Sequence, residues 1–374
     1  MRWSWRVGRI AGIDLRVHAT FLFLLVWAAL AGYQVTHTAS GAARGVVFIL
    51  ALFLSVVLHE LGHALTARRF GVPTRDITLL PIGGVARLAH IPREPRQELR
   101  VALAGPAVTL AIIVVLYAVQ AVLGFPPLGS TQDAVAGRGT LLSQLMWANV
   151  TLLVFNLLPA FPMDGGRVLR ASLALRMPYG RATALAARVG QGFALVFGII
   201  GLFYNPWLVI IALFVWLGAV AEAGEVQQRS ALEGVPVERL MIRDVRTLDP
   251  KQPLQAALEQ VLAGFQQDFP VVENGRLVGM LTRARLLDGL ARRGSAAPVG
   301  EVMETAIRSA KVGEPAERAL AELRECRCQS LPIMEDGRLV GVLTLENVGE
   351  YVMIEAALRA RAAPSRPASR PDHQ

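Results

Sequence analysis

Two histidines and a glutamate lie within five residues of each other in a strongly apolar part of the chain. The stretch VVLHELGHAL contains His59, Glu60 and His63. On a helix, residues four apart share one face, so both imidazoles can reach a single metal ion. This H-E-x-x-H spacing is typical of zinc-dependent hydrolysis, in which the histidines bind the metal and the glutamate accepts a proton from the water that the metal activates. The alternative is a structural histidine pair hydrogen-bonded to Glu60 inside a helix bundle.

A catalytic zinc ion usually takes three protein ligands and leaves one position for water, so the pattern requires a third side chain. Asp164 is the candidate, in the segment PAFPMDGG. Pro159 and Pro162 predict that a helix breaks there, and Gly165-Gly166 allow close backbone approach. The sequence therefore predicts Asp164 as the third ligand. An N-cap role for Asp164 at the start of the next helix is the alternative, and it does not exclude ligation.

Composition and apolar runs indicate a membrane protein. The 374 residues are 53% hydrophobic and only 18% charged, whereas soluble domains average about 25% charged residues. Four stretches approach the ~20 residues that cross a bilayer, and a fifth is interrupted by Asn205-Pro206, which predicts two short helices there. Six spans result, from the stretches Val17–Tyr33, Gly45–Ala67, Val101–Leu123, Thr140–Met163 and the divided Val189–Ala221.

Arginine placement predicts the orientation of these spans. On the six-span arrangement one side receives nearly all the arginines between Arg2 and Arg188, Arg170 included, and the other side only Arg44 and Arg138. By the positive-inside rule the crowded side, with both termini and the soluble part, is cytoplasmic. The net charge of +9 is then explained by topology and by contact with the lipid bilayer, and predicts no nucleic-acid partner.

Beyond residue 222 the composition becomes that of a soluble domain with an internal repeat. FPVVENGRLVGMLT (Phe269–Thr282) matches LPIMEDGRLVGVLT (Leu331–Thr344) at an offset of 62. Each copy is predicted as β-α-β-β-α, with an N-G or D-G turn between its later strands. The predicted domains are residues 1–222, 223–357 and a disordered tail at 358–374. The two cysteines, Cys326 and Cys328, are predicted to be reduced thiols.

The repeat resembles a tandem of cystathionine β-synthase (CBS) domains, with copies at about 236–292 and 298–355. The resemblance implies a regulatory module that often senses adenine nucleotides, so an adenine nucleotide is a possible ligand. In that family an aspartate three residues after a Thr or Ser commonly holds the ribose; here Arg285 and Asn347 occupy the matching positions. A dimerisation or docking module, with a possible homodimer through these domains, is the other interpretation.

The membrane part resembles the site-2 proteases, intramembrane zinc metalloproteases, and is closest to the branch that includes the sporulation protease. The resemblance covers about residues 15–220. It rests on HELGH at His59–His63, NLLPAFPMDGG at Asn156–Gly166 and LAGPAVTL at Leu103–Leu110; the last is interpreted here as helix packing. It implies one zinc ion per chain, held by His59, His63 and Asp164, with Glu60 as general base. Asn156 matches a family asparagine that steadies substrate or oxyanion, and Met163 replaces the usual leucine.

A β-favouring segment, Arg75–His90, lies between the second and third spans and contains Gly83-Gly84. In the family this region forms a re-entrant hairpin whose edge is proposed to bind substrate, which makes Gly83 and Gly84 candidate substrate-binding residues. Irregular backbone at membrane depth requires cover by protein or contact with water. An ordinary cytoplasmic hairpin is the alternative.

Together these features predict a membrane all-α bundle of about six transmembrane helices with a re-entrant β segment, followed by a soluble α/β tandem CBS module. The function expected is cleavage of a membrane-tethered protein within or near its transmembrane segment, with release of a cytosolic factor. The alternative is a membrane transporter or channel gated by the tandem domains.

Overall fold

A computed structural model describes residues 3–81, 83–88, 94–125, 140–264, 266–326 and 328–362. The chain divides into two compact units, Met1–Gly224 and Glu225–Gln374.

The first unit is built mainly from apolar helices. Among the described residues four helices are long and apolar enough to cross a membrane, and two shorter apolar helices have 17 residues each, about 26 Å at 1.5 Å per residue. All six regions predicted as spans contain a helix. The helices of this unit are α1 (Thr20–Thr36), α2 (Ala39–Arg69), α3 (Pro95–Val122), α4 (Leu141–Leu157), α5 (Asp164–Ala174), α6 (Tyr179–Tyr204) and α7 (Pro206–Leu232), the last of which crosses the boundary at Gly224.

The prediction of two short helices around Asn205-Pro206 is right about the break and wrong about the lengths. Helix α6 ends at Tyr204 and α7 begins at Pro206, as expected because proline disfavours helix in the preceding residue and suits the first helical position. The helices have 26 and 27 residues. They extend past the uncharged stretch at both ends, because arginine and glutamate are good helix formers.

A four-stranded sheet accompanies the helices, so the prediction of an all-α bundle is incomplete. Strands β1 (Ser4–Ile10), β2 (Ile13–His18), β3 (Thr74–Leu80) and β4 (Gly83–Leu88) follow that order in the sheet. The β1–β2 and β3–β4 pairs are antiparallel, and β2 and β3 are parallel. The hairpin predicted within Arg75–His90 is present as far as Leu88; His90 lies outside the described residues.

The N-terminal hairpin was not predicted. Val17, expected to start the first span, lies in β2, and α1 begins only at Thr20. The signal was present in the alternating SWRVGRI and in the Ala11-Gly12 turn, where both residues have positive φ, 51° and 85°, because such turns join antiparallel strands.

The sheet and α1 form the support of α2. Ile13 and Ile77 from the sheet, Phe21 from α1, and Phe53 and Val57 from α2 belong to one buried cluster. The rings of Phe21 and Phe53 meet edge to face with centroids 4.6 Å apart. This packing holds the half of α2 that contains the H-E-x-x-H residues.

Helix α4 ends at Leu157, before Pro159, and α5 starts at Asp164, so the proline-induced break is confirmed. Gly165 and Gly166 allow the loop to fold back on α5. A Cβ at Gly165 would overlap the carbonyl oxygen of Leu158, and one at Gly166 would lie 2.7 Å from the backbone nitrogen of Phe161.

The second unit contains two similar halves. The predicted N-G and D-G turns are confirmed, with positive φ at Asn274-Gly275 and Asp336-Gly337. The β-α-β-β-α order is clear in the second half, whereas in the first half the initial strand is reduced to one bridge between Leu248 and Val271. The elements are α8 (Leu254–Ala263), β5 (Phe269–Glu273), β6 (Arg276–Leu281) and α9 (Arg283–Arg293), then β7 (Ala310–Lys311), α10 (Ala316–Cys326), β8 (Ser330–Glu335), β9 (Arg338–Thr344) and α11 (Leu345–Ala362).

Two details of this unit differ from expectation. The sulfur atoms of Cys326 and Cys328 lie next to each other, with Cα atoms 5.2 Å apart, whereas the sequence predicts two separate reduced thiols. Helix α11 continues to Ala362, so residues 358–362 of the predicted tail are helical, because Leu, Arg and Ala favour helix. Residues 363–374 lie outside the described part.

Candidate metal centre

Three buried side chains from two distant parts of the chain meet at one point. His59 and His63 come from α2, and Asp164 is the first residue of α5. The Nε2 atom of each histidine lies 3.1 Å from Asp164 Oδ2, and the two Nε2 atoms are 3.1 Å apart. Each residue is less than 10% exposed. Among the described residues this is the one group of three His, Cys, Asp or Glu side chains placed to hold a metal ion.

The other nitrogen of each imidazole is occupied. His63 Nδ1 lies 2.7 Å from the carbonyl oxygen of Val101, which can only accept, so Nδ1 carries the proton. His59 Nδ1 lies 2.9 Å from Thr109 Oγ1, and the Thr109 hydroxyl itself donates to the carbonyl of Gly105 at 3.4 Å. Nδ1 of His59 is therefore also the donor. In the neutral rings both Nε2 lone pairs point at the Asp164 carboxylate.

This donor set fits a metal ion. Two nitrogen lone pairs and a carboxylate oxygen directed at one point repel each other unless a cation or a proton lies among them. Ligands at about 2.0–2.1 Å from a tetrahedral zinc ion are roughly 3.3 Å apart, close to the observed 3.1 Å. The hydrogen bonds to Nδ1 are of the kind that orient metal-binding histidines.

The alternative role of Asp164 as an N-cap is wrong. Met163 is the N-cap of α5 and makes no side-chain capping bond, while Asp164 is already helical. Its carboxylate faces the imidazoles because the loop from Pro159 returns the chain toward α2.

Small residues of α3 make room for the imidazoles. A Cβ at Gly105 would overlap His63 Nε2 and lie 2.7 Å from His59 Nε2. Gly62 of α2 is equally close to α3, since its Cβ would lie 2.8 Å from the Ala104 carbonyl oxygen. The sequence favours helix packing as the role of the stretch LAGPAVTL, and in the structure this stretch also supplies the site with Gly105 and Thr109. Its cluster of small residues beside a threonine was the available signal.

Glu60 lies half-buried beside the start of β4. A Cβ at Gly84 would be 2.8 Å from Glu60 Cγ, so a larger residue there would displace the glutamate. Gly83 has φ 137°, and among the described residues a Cβ there would meet no atom within 4 Å. The structure thus brings Gly84 to Glu60, whereas no described side chain lies against Gly83.

Asn156 lies half-buried in the last turn of α4, at the head of the loop that leads to Asp164.

In the second unit, Arg285 forms an ion pair with Glu304 at 3.0 Å. Asn347 Oδ1 accepts a hydrogen bond from the Thr344 hydroxyl at 2.5 Å. The two residues that replace the aspartates of the nucleotide-binding pattern, Arg285 and Asn347, therefore both make polar contacts within the second unit.

Comparison with known proteins gives matches for both units. The family model described as peptidase family M50 matches residues 47–135 and 127–197, and that of the CBS domain matches 237–292 and 299–353. A zinc metalloprotease of Methanocaldococcus jannaschii is 38% identical over 282 residues, covering 75% of this chain and 78% of the relative. Stage IV sporulation protein FB of Bacillus subtilis is 31% identical over 183 residues, covering 48% and 59%. A solved site-2 protease from Methanocaldococcus jannaschii is 38% identical, covers 59% of this chain and 95% of its own, and has a TM-score of 0.43.

Proposed function

The chain belongs to peptidase family M50, the family of the site-2 proteases, and on that premise we propose that His59, His63 and Asp164 hold its zinc ion and that Glu60 is its general base. The chain is a membrane zinc metalloprotease with a tandem CBS module. The convergence of both Nε2 atoms and Asp164 Oδ2 at 3.1 Å carries the assignment.

The residues around the centre suit hydrolysis of a peptide bond. A zinc ion held by His59, His63 and Asp164 would act as a Lewis acid and would lower the pKa of a water to about 7. The Glu60 carboxylate accepts a proton from the attacking water and passes it to the leaving amine nitrogen. The Asn156 amide donates a hydrogen bond to the oxygen of the scissile carbonyl.

Strand β4 is the proposed substrate platform. It is an edge strand of the described sheet, next to β3 alone, and an extended peptide can add to such an edge through main-chain hydrogen bonds. Gly84 at its start lies against Glu60, so a strand paired along Gly83 and Gly84 passes close to the general base. We interpret β3 and β4 as the re-entrant segment of the family. Pairing with this edge would hold an unwound substrate segment in extended form for cleavage within or near its transmembrane segment.

The membrane arrangement proposed has six spans, α1 to α4, α6 and α7. Both termini and the tandem module are placed in the cytoplasm, since the arginine excess lies on that side. A transporter or channel is the less favoured function, because the relatives compared above include named metalloproteases.

Purified protein in liposomes should cleave a panel of single-span proteins whose transmembrane segments contain helix-weakening Gly and Pro. Mass spectrometry of the products should place the new termini within or next to the span. A strong zinc chelator should stop the cleavage, and added Zn²⁺ should restore it. Termini found only in distant soluble regions, or cleavage that survives chelation, would contradict the proposal.

For the tandem module we propose a regulatory role through an adenine nucleotide or through homodimerisation. Titration of AMP and ATP into the full-length protein should release heat and raise its melting temperature if the nucleotide version holds. No change on titration, together with a dimer on size measurement in detergent, would favour dimerisation alone.

A further inference from the structure

A second buried charged cluster lies near the metal centre and was missed in the sequence. Arg170 of α5 was counted among the arginines that set orientation, yet it is fully buried. Its Nε and Nη2 atoms donate to Glu98 Oε1 of α3 at 2.8 and 2.5 Å, and Nη1 forms an ion pair with Glu222 of α7. The side chains of Glu98 and Glu222 are 2% and 17% exposed. A buried arginine is tolerated only when it is paired in this way.

Two aromatic rings complete the surroundings of the guanidinium. Arg170 Cζ lies 5.0 Å from the ring centroid of Phe161 and 5.2 Å from that of Tyr179. Phe161 is fully buried and precedes Asp164 in the loop after α4, whereas Arg170 follows Asp164 on α5. The guanidinium therefore contacts Phe161, which precedes Asp164 in the chain, and Tyr179, which follows it.

Helix α3 connects this cluster with the two histidines. Glu98, Val101, Gly105 and Thr109 follow one another at intervals of three or four residues, so they occupy one face of α3. Val101 orients His63, Thr109 orients His59, and Glu98 binds Arg170. One helix face thus sets the positions of the histidines and of the segment that carries the carboxylate.

Arginine suits this place chemically. Burial on its own lowers the pKa of Arg170, but Glu98, Tyr179 and Glu222 together outweigh this and the pKa is raised, so the side chain stays charged. Its planar fork can reach two carboxylates while its faces stack on aromatic rings, which the point charge of lysine cannot reproduce.

We propose that Arg170 is a positioning residue for the metal centre, which holds Asp164 at the distance where its carboxylate and the two imidazoles bind one ion. The inference rests on the proposed function, because it takes His59, His63 and Asp164 as the ligands. Loss of Arg170 would remove none of the three proposed ligands. It would remove the contacts that hold the loop and α5 in the arrangement that directs the Asp164 carboxylate toward the imidazoles.

The test measures the Zn²⁺ dissociation constant of full-length protein in detergent, by competition with a chromophoric chelator. Arg170→Met should raise this constant by about 10–100-fold, the range seen when groups that orient metal ligands are removed. Phe269→Ala is the matched control, since it removes a fully buried side chain from the hydrophobic core of the second unit and should lower the melting temperature without a comparable loss of Zn²⁺ affinity. Co²⁺ in place of Zn²⁺ should give an altered visible spectrum in Arg170→Met and an unaltered one in Phe269→Ala.

An unchanged Zn²⁺ affinity in Arg170→Met, or an equal loss in Phe269→Ala, would overturn the positioning role. If Arg170→Met does not fold, Glu222→Gln serves instead, because it removes the carboxylate charge at the more exposed of the two ion pairs of Arg170. A rise in the dissociation constant supports the role, and no rise opposes it. Wild-type protein that binds no Zn²⁺ would refute the proposed function itself, a result distinct from either of these.

Discussion

Replacing Glu60 by Gln should abolish cleavage while leaving zinc bound. The amide keeps the size of the side chain beside Gly84 but cannot accept a proton from water. General-base catalysis of this kind contributes about 10²–10⁴-fold to the rate. The three proposed ligands, His59, His63 and Asp164, are untouched by the change. The measurements are the cleavage rate of a single-span protein in liposomes and the zinc content by elemental analysis.

A matched control is Glu225→Gln on α7. Glu225 forms an exposed ion pair with Arg229 one helical turn away, which contributes only about 0.3–0.5 kcal/mol. This variant should cleave at the wild-type rate. Cleavage retained by Glu60→Gln would remove the general-base assignment, and loss of its zinc would mean that Glu60 supports the metal rather than the proton transfer.

Asp164→Ala should lose both zinc and activity. The substitution removes the carboxylate that approaches both imidazoles at 3.1 Å and leaves two protein ligands where a catalytic zinc needs three. The loss of affinity should exceed the about 10–100-fold cost of removing an orienting group. Elemental analysis of the purified variant beside wild type measures this loss directly.

The neighbouring Met163→Leu serves as control, since it is a volume-conserving exchange that costs below about 1.5 kcal/mol. It should retain zinc and cleavage. Full zinc occupancy in Asp164→Ala would show that a different residue completes the centre, and the assignment of the third ligand would then be withdrawn.

Patterns that depend on near neighbours were readable from the sequence. The spacing of His59 and His63 requires only helical geometry, and the end of α4 before Pro159 follows from the chemistry of proline. The repeat in the second unit was found because its N-G and D-G turns recur at one offset. The N-terminal hairpin was missed because arginines in SWRVGRI were interpreted as topology signals, although the alternation also fits a strand.

Contacts between residues that are far apart in the chain were harder to predict from the sequence. The sequence placed Asp164 in a broken, glycine-rich segment, and the chemistry of zinc made it the candidate ligand. Nothing local to Gly105 or Thr109 shows that the imidazoles lie against them. In the sequence nothing distinguishes Arg170 from the other arginines that are predicted to face the cytoplasm. Only its burial between Glu98 and Glu222 does so.

The sequence alone determined the candidate ligands, the apolar helices, the proline break and the two-copy module, because each depends on residues within a few positions of one another. The tertiary structure decided which face of α3 meets α2 and α5, and therefore which backbone carbonyl, hydroxyl and carboxylate orient the ligands. Those partners are set by how helices pack across many residues of intervening chain, and helix packing is governed by shape and burial rather than by any local spacing.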